Sequence, residues 1–267
     1  MRSYLLRTLG LTSTAVILLL IASPAQAQCG TNSIGFGDVG IVPQKPFQAE
    51  IVVTRDGPPS AVESPLVQHP RSVARDSDGR IRSEGVTGNY KHDTGPDAGT
   101  DTEQHMIRIC DPIAQTLTHI DSLTSSARIV HAPPSAPSTP ARPRSFCDSR
   151  IPHPRNSSMT VELLGTQTIE GVEARGVRIK QPPLNNSAGA VESSFGEMFT
   201  ERWCSDELAA IVLTVSENAK TGKKTTTAMK NIERIEPDAS LFQIPQDYSI
   251  TETVAKPPER PTPTSNR

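Results

Sequence analysis

The chain has 267 residues, with 27 Lys and Arg against 29 Asp and Glu, a net charge of −2 at neutral pH. That balance excludes a broad basic surface for nucleic acid and a polybasic membrane-binding segment. Twenty-four prolines and an aromatic share of 4% place much of the chain in loops, so one domain of about 150 to 180 ordered residues is expected.

The first 27 residues read as an export signal. Arg2 and Arg7 give a positive start, Leu9 to Ile21 an apolar run, and Ala25-Gln26-Ala27 a small-residue cleavage pattern. The apolar run is short for a membrane span, and no later stretch is long enough for one. Cleavage is therefore expected after Ala27, with the mature protein periplasmic or extracellular. Cys29 follows Gln28, where a lipid-attachment motif carries a small residue. Cys29, Cys110, Cys147 and Cys204 all survive cleavage and are disulfide candidates in an oxidising compartment, with three connectivities open. They contain no Cys-x-x-Cys pair, so zinc-ribbon and thioredoxin-like readings have no support.

Residues 28–45 form a Gly-rich arm, expected to lie loosely on the surface. Gly35-Phe36-Gly37-Asp38-Val39-Gly40 spells the dinucleotide fingerprint, but Pro43 and Pro46 follow where a phosphate-receiving helix must begin. Pro46 to Arg55 reads as the first strand, stopped by Pro58 and Pro59. Arg71 to Gly85 reads as two polar strand arms around Asp76-Ser77-Asp78-Gly79, an Asp-Gly turn suited to positive φ. Gly85 to Gln104 reads as a polar loop, in which Asp93, Asp97 and Asp101 stand four apart, with Glu103 beyond, and lack the alternating oxygens of a calcium loop. His105 to Asp121 resumes the sheet around a turn at Asp111-Pro112, and Ala127 to His131 adds a short strand. Residues 132–145 carry proline at five of fourteen positions and read as a stiff insert.

The second half is better patterned. Val161, Leu163 and Ile169 share a strand face before a tight turn at Glu170-Gly171, and a loop over Pro182 to Ser194 follows. Phe199 to Cys204, Leu208 to Glu217 and Thr225 to Ile235 read as further strands, the last two joined by a turn around Gly222. Asp238 is placed to cap a single helical turn carrying Leu241 and Phe242. Residues 251–267 are expected to be a disordered tail. The fold class is mainly β, with successive antiparallel strands in one domain over residues 46–250, few short helical turns and long Pro-rich loops.

Chemistry is not visible. His69, His92, His105, His119, His131 and His153 include no i, i+4 pair of the zinc-protease kind, and no G-x-S-x-G elbow occurs. No catalytic residue, metal ligand or cofactor site is assigned. Phe199 and Trp203 share a strand face with Glu201 between them, and they are the candidate aromatic wall of a ligand cavity; the alternative is a core role.

The stretches GTQTIEGVEARGVRI, ERWCSDEL and NIERIEPDASLFQIPQDYSI carry a resemblance. Gly165, Thr166, Ile169, Gly171, Val172, Glu201, Trp203, Glu236, Pro237, Asp238, Ser240, Leu241, Phe242 and Pro245 match exported bacterial β-rich proteins of unassigned function. Those are distantly similar to the periplasmic lipoprotein-carrier, or outer-membrane lipoprotein-sorting, superfamily. The resemblance implies a curved antiparallel sheet, a half-barrel, around an apolar cavity, and it implies no catalytic residues. This chain departs in lacking a helix before its first strand, in its four cysteines and in its polar Arg71–Gly85 hairpin. The resulting expectation is non-enzymatic binding of an apolar or lipid ligand or of an envelope protein. The alternatives are an interaction or sensor module without a cavity, and a secreted hydrolase.

Overall fold

The computed structural model describes residues 38–56, 69–91, 101–132, 145–151, 159–182 and 196–255. The leader, Cys29, the glycines at 35 and 37, most of the Pro-rich insert and the loop after Pro182 lie outside them. Twelve strands form one open sheet: β1 (Phe47–Asp56), β2 (His69–Arg75), β3 (Ile81–Lys91), β4 (Asp101–Asp111), β5 (Thr116–Asp121), β6 (Ser126–His131), β7 (Thr160–Ile169), β8 (Val172–Gln181), β9 (Met198–Ser205), β10 (Ala210–Asn218), β11 (Lys224–Glu233) and β12 (Ser249–Val254). Their order is β12-β6-β5-β4-β3-β2-β1-β11-β10-β9-β8-β7. Two meanders, β1 to β6 and β7 to β11, therefore join at mid-sheet through the antiparallel β1–β11 pair. The mainly-β reading holds, but β3 runs on to Lys91 and β4 starts at Asp101, inside the stretch from Gly85 to Gln104 that the sequence reads as a polar loop.

The hairpin turns follow from local chemistry. Glu170 and Gly171 both take positive φ (48° and 74°), as a two-residue turn matched to strand twist requires. Gly79 supplies the positive φ (82°) foreseen in the Asp-Gly turn. Three longer turns share one plan: a polar residue leaving the first strand accepts from backbone N–H groups ahead of it. Asp111 Oδ1 accepts from Ile113 and Ala114 (2.8 Å each), Asp121 Oδ1 from Leu123 (2.9 Å) and Ser205 Oγ from Leu208 (3.4 Å). Each turn ends on a left-handed residue, Gln115, Ser125 or Ala209.

Three differences from the sequence reading have clear causes. Part of the N-terminal arm is not loose. Val39 is 4% exposed within the main core cluster and bridges Ala210, Gly40 N–H donates to Ala209 O (2.7 Å), and Ile211 N–H donates to Asp38 O (2.7 Å). The wholly buried Arg75 anchors this arm: its guanidinium donates to the carbonyls of Gly40 (2.8 Å), Lys45 (2.6 and 2.8 Å) and Leu208 (2.6 Å). Second, β12 pairs with β6 in parallel, and its Thr251–Val254 part belongs to the segment expected to be disordered. After β11 the chain crosses a sheet face through the 3-10 turn Ala239–Phe242, and such a crossover permits parallel arrival. Asp238 caps that turn at Ser240 N–H (2.8 Å) as foreseen, and Phe242 packs on Ala74, Ile109, Ile120 and Ala127. Third, a short helix, α1 (Phe146–Arg150), follows the Pro-rich insert, with Ser145 Oγ capping Asp148 N–H (3.1 Å).

Candidate ligand cleft

Where the two meanders meet, β1, β11 and β10 set Ile51 opposite Met229 and Thr227 opposite Thr214. Val39 from the arm, Val73 from β2 and Ile211 from β10 complete an apolar cleft beside Asp38. A register shift between Ile211 and Leu213 marks a bulge at Val212, the device by which a strand re-aims its side chains. The cleft encloses a volume of about 30 Å³, and the rest of it is open to solvent. It is a narrow groove rather than a chamber.

A second, smaller cleft of about 20 Å³ shares Ile211 in its wall. Its walls include Val177, Arg150, Arg175, Arg202 and the Cys147–Cys204 disulfide, which ties α1 to β9. Cys110 is disulfide-bonded as well. Arg175 reinforces the α1 tie, its Nη2 donating to Asp206 Oδ2 (2.6 Å), Asp148 Oδ1 (3.0 Å) and Ser145 Oγ (3.0 Å). Burial pushes the Asp206 carboxyl up, but hydrogen bonds from Ser145, the Cys147 N–H and Arg175 outweigh it and hold the pKa below the usual range. Gly40 lets the arm approach this helix closely, since a Cβ there would stand 2.7 Å from the Phe146 ring.

The charges between the clefts are unevenly matched. The guanidinium of Arg150 lies 4.8 Å from the Phe146 ring centroid, and its Nε is buried without a hydrogen-bond partner. Burial lowers its pKa, with Asp38 pulling the other way. Burial raises the Asp38 carboxyl above its ordinary range, against the pull of Arg202 and Arg150.

The residues singled out in the sequence sit elsewhere. Trp203 is 9% exposed in the main core cluster, its ring laid over Gly176, where a Cβ would come within 2.5 Å. Phe199 is half-buried, with Lys180 Nζ 5.6 Å from its ring centroid. Glu201 between them accepts from Arg178 Nη2 (2.7 Å) and Nε (3.0 Å). Neither aromatic lines the two clefts. His105 contacts Glu84 (2.9 Å), His131 contacts Glu252 (2.9 Å), and His119 stands between Arg108 and Arg128 across three strands. Among the described residues no group of three His, Cys, Asp or Glu is arranged to hold a metal, and no helix is long and apolar enough to cross a membrane. The sequence reading missed Asp38, Arg150 and Arg202. Its one available signal was Ser145 three residues before Asp148, a helix-start spacing that announces α1.

No family model and no curated protein matches the chain. Solved structures do. An uncharacterized conserved protein from Thermus thermophilus matches with a TM-score of 0.38 at 11% identity, over 78% of this chain and 91% of that one. The Pseudomonas aeruginosa MucA/MucB complex structure matches with a TM-score of 0.38 at 13% identity, over 78% of this chain and 58% of that one. A putative outer membrane lipoprotein-sorting protein domain from Vibrio parahaemolyticus matches with a TM-score of 0.20 at 10% identity, over 74% and 89%. At these identities and TM-scores the likenesses carry no role over to this chain.

Proposed function

We propose that this protein is a non-enzymatic envelope protein that binds an apolar ligand along the seam between its two meanders. The observation that carries the reading is the apolar groove formed by Val39, Ile51, Val73, Ile211 and Met229 beside the sheet centre. Its narrowness suits one extended hydrocarbon chain, which gains about 0.8 kcal/mol for each CH₂ taken out of water. The disulfide supports an oxidising compartment. The expected test is a fluorescence titration with an environment-sensitive apolar dye, saturating near one per chain and displaced by a single-chain lipid. Thr227→Glu and Thr214→Glu place charge in half-buried positions of the groove and should weaken binding roughly tenfold or more with the far-ultraviolet spectrum unchanged. A folded wild type that shows no saturable binding would overturn the proposal.

That outcome would favour an envelope protein as partner. The strands at the two ends of the sheet support this second reading, since Leu163 on β7 is 74% exposed and Val254 on β12 is 64% exposed.

A further inference from the structure

We propose that the cavity beside the Ala239–Phe242 turn is a second ligand site, and that it takes a small basic amino acid. It opens on the sheet face opposite the groove, since strand alternation turns Gln48, Glu50 and Ala74 away from Ala49, Ile51 and Val73. Its volume of about 330 Å³ compares with about 30 Å³ for the groove, and small-molecule sites begin at about 300 Å³. Leu241 from the turn and Ala74 from β2 give it apolar wall, while Glu50, Arg82, Glu84 and Glu233 bring charge of both signs. Two bulges adjoin it. β11 carries one extra residue against β1 between Lys230 and Glu233, where Asn231 takes φ 51°, and β2 carries one against β3 between Pro70 and Ser72. Bulges of this kind re-aim side chains and are common beside active sites.

The lining is complementary to such a ligand at both of its charged ends. The Arg82 side chain is 12% exposed, yet among the described residues its guanidinium donates only from Nη2, to Glu84 Oε2 (2.7 Å). None of its other nitrogens is sealed from solvent, so donors remain for a carboxylate, which a guanidinium grips as a fork. Glu84 is doubly matched, because it also contacts His105 (2.9 Å). Glu50 and Glu233 are not. They accept from Asn231 Nδ2 (2.9 Å) and from Gln48 Nε2, amides that neutralise no charge. Three carboxylates thus face one guanidinium in the cavity, which leaves two of them for ammonium groups. The ligand's carboxylate meets Arg82, its two ammonium groups meet Glu50 and Glu233, and its methylene stem lies on Leu241 and Ala74.

The test is calorimetric titration of the oxidised protein with free lysine, with norleucine, which lacks the ε-ammonium, and with cadaverine, which lacks the carboxylate. Lysine should saturate near one per chain and bind roughly tenfold or more tightly than either, the scale of one charge-assisted hydrogen bond. Glu50→Gln and Glu233→Gln should each remove most of the preference over norleucine. Glu173→Gln, exposed on β8 and outside the cavity, should leave lysine binding unchanged. Arg82→Gln should bring lysine down to cadaverine; if it fails to fold, the lysine-to-cadaverine ratio of the wild type decides. Norleucine or cadaverine binding as tightly as lysine overturns the proposal. So does a folded protein with no saturable heat, or lysine binding unaltered in both cavity variants. An equal loss in Glu173→Gln overturns it as well, since the attraction is then one of overall charge. The apolar-ligand reading stands or falls separately, by its own dye titration.

Discussion

Arg75 shows how one residue can fix the position of distant segments. It is fully buried, with no carboxylate partner among the described residues; its N–H groups end on three backbone carbonyls, and its guanidinium lies 4.9 Å from the Phe47 ring centroid. Burial lowers its pKa to about 10, so it remains charged at neutral pH. Arg75→Ala should cost about 3 kcal/mol, since it orphans buried carbonyls as well as removing contacts, and a lower urea midpoint at unchanged slope would show it. His119 gives a test in pH. Burial, followed by Arg108 and Arg128, lowers its pKa from 6.5 to about 4. Between those values the unfolded chain takes up a proton that the folded chain refuses, so His119 makes stability fall as pH drops through that window. Thermal melts from pH 7 to 4 should decline less steeply in His119→Gln than in the wild type; parallel curves would refute the assignment. None of this was legible in the sequence, because Arg75 reads there as an ordinary polar residue in a hairpin arm.

At the scale of elements, legibility followed the turn chemistry. Gly171 and Gly79 announced their turns because glycine meets positive φ without steric cost. Gln115, Ser125 and Ala209 adopt the same left-handed backbone with side chains that give no such signal, so only Asp111-Pro112 marked one of those three turns in advance. Strand β9 depends on a glycine of another kind. Gly176 faces Trp203 across the β8–β9 ladder, and the indole fills the space a side chain would need. Gly176→Ala should therefore destabilise the protein by about 1–3 kcal/mol through overpacking, read as a loss of melting temperature with a shifted tryptophan emission. An unchanged melt would mean that Trp203 moves aside at little cost.

For the whole molecule, the seam between β1 and β11 decides both cohesion and site. Each meander is built from local hairpins and could be read strand by strand, but their joining pairs residues near position 50 with residues near 230. Periodicity carries no information on which strands meet at such distance. The groove was therefore not legible, because Ile51 and Val73 of one meander meet Ile211 and Met229 of the other only once the seam closes. Backbone amides of β1 and β11 should exchange most slowly with solvent, and those of β7 and β12 most quickly. Two separate exchange populations divided at the seam would show instead that the halves open independently. Strand β7 carries a last consequence. Among the described residues it pairs only with β8, and between Leu163 and Gly165 its register shifts, with Gly165 at φ 82°. A second copy laid along that rim would lose step midway, its inward residues turning outward beyond the kink. Among the described residues, the longer outer strand of the sheet thus offers no straight rail along which a fibre could grow.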